Sequence, residues 1–165
     1  MILRALTLAG GLAGAAGLSQ FPEYSQQYIQ RLAGAVDELE RLIARFDADA
    51  AGLEMSRTQA LVDLAGGSSM GKAQAQSVSD SITRHDRLAA DPAMLKSAGP
   101  FMRAYNARRF TDGEIARRVW DDFKPALPLT FEGAVFGGTG FLGGLLAVSL
   151  IIGVIRLPFR RKSSA

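Results

Sequence analysis

No charged side chain interrupts the chain between Gly133 and Ile155, and nothing else in the sequence restricts its fold as much. As a helix this 23-residue run rises roughly 35 Å, more than the roughly 30 Å hydrocarbon core of a bilayer. It holds twelve large apolar residues, among them Val135, Phe136, Phe141, Leu145, Leu146, Ile151, Ile152 and Ile155. At about −0.3 to −0.6 kcal/mol each, they contribute roughly −5 kcal/mol to membrane insertion before the glycines are discounted. A buried core helix is the rival, but it needs a large soluble domain around it, and the remaining sequence is too polar to supply one. The sequence therefore predicts a transmembrane helix over 130–156, with Thr130 as its N-cap and Pro158 as its stop.

A second run, Ala5 to Phe21, is also free of charge but weaker. Its large apolar residues are Leu6, Leu8, Leu12, Leu18 and Phe21, worth roughly −2 kcal/mol on the same scale. With Ile2 and Leu3 added and Arg4 reaching to the headgroups, 1–21 has the length of a short span. A secretory signal peptide is the competing reading, because one arginine, an apolar run and small residues around Ala13–Ala15 fit that pattern. A chain that begins at Met1 favours retention. Orientation follows from Arg156 at the end of the second span and from Arg160, Arg161 and Lys162 in a basic tail over 157–165. Basic residues flanking a span hold the cytoplasmic side, so both termini are expected inside and the middle outside, in the periplasm of a bacterium.

The charges sit in that middle: all 16 acids and 14 of the 19 bases lie between Glu23 and Glu132. The basic excess belongs to the ends, which argues against a nucleic-acid surface. With no cysteine and one histidine, disulfide frameworks, thiol nucleophiles and cysteine zinc sites are excluded. From Ile29 the apolar residues Ile29, Leu32, Val36, Leu39, Ile43, Phe46, Ala50 and Leu53 alternate spacings of three and four, a heptad seam. The expected periplasmic domain, 22–129, is a long helix over 22–65, a turn at 66–69 and a helix over 70–90 packed back as a hairpin. In the second helix Ala75, Val78, Ile82, His85 and Ala89 form a thinner stripe. Asp91-Pro92 opens a short helix over 92–98, and Thr111-x-x-Glu114 reads as a capping box for a last one over 112–123, with Ile115, Val119 and Phe123 on one side. Pro125 and Pro128 end it. The fold class is thus all-α, with two transmembrane helices flanking a helical-hairpin domain.

Few residues invite chemistry. His85 lacks partners other than carboxylates for a metal, and Asp121-Asp122 and Asp47/Asp49 do not share a helix face. Gly66 to Lys72 lacks the Ser/Thr of a phosphate loop and no strand precedes it. No catalytic, cofactor or metal residue is assigned. The glycines are more informative, since Gly133, Gly137, Gly140 and Gly144 line one face of the second span and Gly10 and Gly14 repeat the small-xxx-small spacing in the first. Such faces pack the two spans on each other or on another subunit. Phe21, Tyr24 and Tyr28 beside the first span, and Trp120, Phe123 and Phe131 beside the second, predict an aromatic belt at one interface.

The stretches Leu8 to Leu39 and Phe123 to Gly144 resemble a family of uncharacterised bacterial inner-membrane proteins filed as a domain of unknown function. The resemblance implies a bacterial two-span membrane protein and brings no activity or catalytic residue with it. The expected function is that of a non-enzymatic accessory or scaffold protein of the bacterial inner membrane. It would bind a partner through the hairpin, with seam residues Leu32, Val36, Leu39, Ile43 and Phe46, and through its glycine-rich spans. The alternative is a small transport or channel component built by homo-oligomerisation, although a second span without ionisable groups argues against an ion path. The expected partners are the lipid bilayer and another membrane protein or further copies, with no nucleic acid, small-molecule substrate or cofactor.

Overall fold

The computed structural model describes residues 1–90, 92–110, 112–126 and 129–160. The expected caps at Asp91 and Thr111, the stop at Pro128 and the basic residues Arg161 and Lys162 lie outside the described residues. Among the described residues every element is helical: α1 (Ile2–Leu18), α2 (Phe21–Gly52), α3 (Arg57–Gly66), α4 (Ser69–Ala89), α5 (Pro92–Ser97), α6 (Pro100–Tyr105), a 3-10 turn (Ala107–Arg109), α7 (Gly113–Asp122) and α8 (Phe131–Arg160). The chain divides into two compact units. One comprises Met1–Gln26, Pro100–Tyr105 and the chain from Trp120 onward; the other comprises Gln27–Gly99 and Asn106–Val119.

The first unit is built on α1 and α8, which pack antiparallel. Their seam is made of glycine. A Cβ on Gly14 would overlap the Gly140 carbonyl oxygen, one on Gly140 would overlap the Gly14 carbonyl oxygen, and one on Gly144 would overlap that of Gly10. Gly10 also receives the Val148 side chain, and Gly11 receives Phe141 and Leu145. Further along, a Cβ on Gly137 would stand 3.5 Å from that of Ser19, and Gly133 is buried. The other faces stay bare: Leu6, Leu12, Leu142, Leu146, Leu150 and Val154 are exposed. Thr130 caps α8, its hydroxyl oxygen accepting the Gly133 N–H at 3.1 Å. Pro158 does not stop this helix, which continues to Arg160. A proline this close to the end removes only its own hydrogen bond from a turn that would fray in any case.

In the second unit the heptad seam is the covered face of α2. Ile29, Leu32, Ile43 and Ala50 are buried, and Val36, Leu39 and Phe46 are half-buried. The expected helix over 22–65 is nevertheless two helices. At its end the Met55 N–H bonds the Ala50 carbonyl at 2.9 Å and the Glu54 N–H bonds that of Ala51 at 3.0 Å, with Glu54 left-handed at φ 56°. This is a Schellman termination with glutamate in the place glycine usually takes. Ser56 starts α3 at once through a reciprocal capping box with Gln59. Leu53 falls in the corner and is 69% exposed, so the seam ends at Ala50. Because a left-handed non-glycine residue costs about 1–2 kcal/mol, Glu54→Gly is expected to stabilise this unit by about 1 kcal/mol in urea unfolding. A loss of stability instead would mean that the Glu54 side chain holds the corner.

α4 packs back along α3, the severed end of the expected long helix, and so the hairpin is shorter than 22–65 implied. Its turn is Gly67-Ser68. The Ser68 hydroxyl oxygen accepts the Gly71 N–H at 3.1 Å, and a side chain on Gly71 would crowd the Leu64 carbonyl oxygen at 2.8 Å. These two contacts account for Ser68 and Gly71 without a ligand. On α4, Ala75, Val78 and Leu88 are buried, Ile82 and His85 are half-buried and Ala89 is exposed, so the stripe shifts by one residue at its end. Leu95 of α5 is fully buried, and Ile115 and Val119 of α7 face inward as expected.

Candidate functional site

The densest set of polar contacts joins α4 to the start of α7, inside the second unit. Tyr28 is 1% exposed, lies against Phe110 with ring centroids 4.6 Å apart, and accepts the Asp112 N–H on its hydroxyl oxygen at 3.2 Å. Asp112 in turn caps α7, its Oδ1 accepting the Ile115 N–H at 2.9 Å. Its Oδ2 lies 3.7 Å from Arg84 Nη2 and 3.6 Å from Arg87 Nη2. Glu114 accepts Arg84 Nη1 at 2.6 Å on one oxygen and Arg118 Nη2 at 2.7 Å on the other. The cap therefore sits at Asp112, and the Glu114 side chain goes to arginines. A cleft of about 500 Å³ opens beside this clasp, lined by Gln30, Arg31, Gly34, Ala35, Arg84 and Arg118 among others. The charge-assisted bond from Arg84 to Glu114 fixes α4 against α7, and Arg118 holds the same carboxylate from within α7.

The clasp has a pH signature. The hydrogen bond from Arg84, and then its charge and that of Arg118, hold the Glu114 carboxyl below the usual glutamate range. The same physics lowers Glu38 beside Arg41 and Asp47 beside Arg57. A carboxyl with a depressed folded pKa adds stability that is present above its ordinary pKa and is lost as pH falls through the folded value. Glu114→Gln is thus expected to lower the melting temperature at neutral pH and to flatten its decline below the ordinary glutamate pKa. An acid limb identical to that of the unsubstituted chain would show that the Arg84 contact contributes nothing.

The structure distributes the expected site residues over different roles. Gly10, Gly14, Gly140 and Gly144 meet one another across the span pair of a single chain, and Gly137 and Gly133 extend that line. Phe21 packs against Phe136 at 5.3 Å, and Tyr24 meets Trp120 at 6.5 Å and Phe123 at 6.1 Å, all edge-on or tilted. Trp120 and Phe131 remain largely exposed. Tyr28 is a correction: it is a core residue of the second unit and not part of an exposed belt, because it lies beside Ile29 and Leu32 on the covered face of α2. Seam residues Leu32, Val36, Leu39, Ile43 and Phe46 form the inner face of α2. His85 Nδ1 stands 3.3 Å from Asp86 Oδ1, and no metal-holding cluster occurs among the described residues. Arg156 is exposed near the end of α8, and the helical backbone continues through Arg160. Sequence reasoning missed Arg84, Arg87 and Asp112, which are charged residues without local periodicity, and Arg103, which is buried.

Of the two candidate spans, only 11% of the most apolar stretch near the N-terminus and 6% of that in α8 is buried. A core helix of a soluble protein would be mostly covered. The fold thus defines an all-α protein with two helices long and apolar enough to cross a membrane. The family model described as "Protein of unknown function (DUF2937)" matches residues 2–161, and the chain belongs to that family. No curated protein and no solved structure matches the chain.

Proposed function

We propose that the chain is a non-enzymatic accessory or scaffold protein of the bacterial inner membrane, with both termini in the cytoplasm and the α2–α7 region in the periplasm. One observation carries the membrane part of this reading: the paired helices α1 and α8 bury glycine against glycine and leave Leu6, Leu12, Leu142, Leu146, Leu150 and Val154 facing out. In water that arrangement is inverted; in hydrocarbon it is what close-packed helices use. The fit of Gly10 and Gly14 to α8 supports a retained first span over a cleaved signal peptide. Because these glycines are occupied within one chain, it also favours an accessory protein over a homo-oligomeric channel. The partner would be engaged through the α3–α4 hairpin and its corner, where Leu53, Val62 and Met70 are exposed.

The chain has no cysteine, so single cysteines report topology without background. Ala65→Cys, on exposed helix surface, and Ser164→Cys are expected to differ in intact cells: an impermeant thiol reagent labels only the first. Ser68 is avoided because its hydroxyl caps α4. Labelling at residue 164 alone would reverse the orientation. Purification in mild detergent, followed by identification of stoichiometric companions, tests the scaffold role. A homogeneous assembly of this chain alone would favour the channel alternative.

A further inference from the structure

We propose that a groove on the α1–α8 pair, at the end where α1 begins, holds one anionic phospholipid with its phosphate on Arg4. The inference rests on the two-span reading above. The groove measures about 440 Å³ and lies within the first unit. Before Ser19 the polar side chains of α1 are Arg4 and Thr7, and between Thr139 and Arg156 that of α8 is Ser149. All three line this groove. Two helices that are otherwise apolar over these stretches thus turn every polar group they carry there toward one place.

Arg4 and Ser149 are left without a partner. The sequence has no acid before Glu23 and none after Glu132, and these two sit at the opposite end of the helix pair. Among the described residues nothing pairs with the exposed Arg4 guanidinium. The Thr139 hydroxyl donates to the Val135 carbonyl at 2.8 Å and that of Thr7 to the Leu3 carbonyl at 2.9 Å, whereas Ser149 makes no hydrogen bond among the described residues. A lone guanidinium and a free hydroxyl against hydrocarbon are both costly, and one phosphate satisfies both.

The depth suits the inner edge of the headgroups. From the Ser19 cap to Arg4 the chain rises roughly 22 Å, so with Ser19 at one boundary the Arg4 backbone lies inside a roughly 30 Å core. Its side chain leans toward the start of the helix and reaches outward. Inward, the lining passes from Arg4 through Thr7 and Ser149 to Leu8 and Leu145. Phosphate followed by acyl chain is the same order. Because the groove offers donors and no carboxylate, a headgroup ammonium or choline gains nothing in it and meets Arg4 as a like charge. A headgroup whose net charge is that of its phosphate, as in phosphatidylglycerol, matches it.

The test uses the full chain in micelles of an uncharged detergent and native mass spectrometry with dioleoyl phosphatidylglycerol and dioleoyl phosphatidylcholine at equal concentration. The anionic lipid is expected to be retained in about tenfold preference, the scale of one charge-assisted hydrogen bond. Arg4→Gln is expected to bring that ratio close to one. Ser149→Leu, which keeps every charge but fills the groove, is expected to do the same, whereas Arg156→Gln, outside the groove, leaves the ratio within about twofold. Arg4 and Ser149 are both exposed, so neither variant removes a buried contact. Equal retention of the two lipids by the unsubstituted chain, an unchanged ratio in Arg4→Gln or Ser149→Leu, or an equal loss in Arg156→Gln overturns the proposal. Free glycerol phosphate competing as strongly as the whole lipid overturns the lipid assignment, and so does a stoichiometric companion protein that Arg4→Gln releases. Alkaline carbonate extraction separates the two levels. Release of the protein from membranes refutes the two-span reading, whereas retention with equal lipid binding refutes the lipid site alone.

Discussion

Gly140→Leu is expected to separate the two apolar helices, while Gly138→Leu, two residues away on the same helix, leaves them joined. At Gly140 a side chain would occupy the space of the Gly14 backbone, which cannot move aside as a flexible side chain would; at Gly138 nothing lies within 4 Å. The readout is a disulfide. The Ser19 Cβ lies 3.5 Å from the position a Cβ would take on Gly137, within the roughly 3.5–4.5 Å that a disulfide spans. Ser19→Cys/Gly137→Cys should therefore cross-link readily in a chain with no other thiol. Overpacking of this kind costs about 1–3 kcal/mol, which predicts about a tenfold or greater loss of cross-linking for Gly140→Leu. Equal yields from both leucine variants would show that the glycine seam does not hold the helices together.

The second large effect is in α2. Leu32→Ala is expected to cost about 2–5 kcal/mol, because Leu32 is 1% exposed, and Leu53→Ala about 0.5 kcal/mol or less. The two leucines occupy equivalent positions of one heptad repeat, so the comparison isolates burial from sequence pattern. Protease sensitivity at the Gly67-Ser68 turn, followed against urea, measures both. Similar losses would mean that the repeat continues past Ala50 in solution. A dependence on protein concentration would place the seam's partner in a second copy.

The features that sequence reading recovers here are one-dimensional. A charge-free run has a length, and length decides whether a helix can cross a bilayer. A heptad has a period, and that period put Ile29 to Ala50 on the covered face. The corner between α2 and α3 was half visible. Ser56-x-x-Gln59 is a capping box by its letters, but Glu54 in a left-handed conformation gives no sign, because glycine is the residue that normally announces such a turn. Asp112 caps α7, and Glu114, expected to serve that helix start locally, pairs with arginines. Arg84 and Glu114 lie thirty positions apart, and no spacing rule joins them. α6 escaped notice because six residues are too few for a periodic signal. Arg103 escaped with it.

The glycine seam also bears on biosynthesis. On the two-span reading, α1 leaves the ribosome long before α8 exists, and its few leucines give it only a shallow hold on the bilayer. The fit that secures it, backbone against backbone at Gly10 and Gly14, becomes available only when the last helix is translated. Until then the first helix is an unpaired guest, open to slippage or proteolysis, and the late helix acts as the latch that commits the chain to its topology. Membrane residence of the N-terminus is then a property conferred by the far end of the sequence, and a nascent chain halted before Phe131 would lose it.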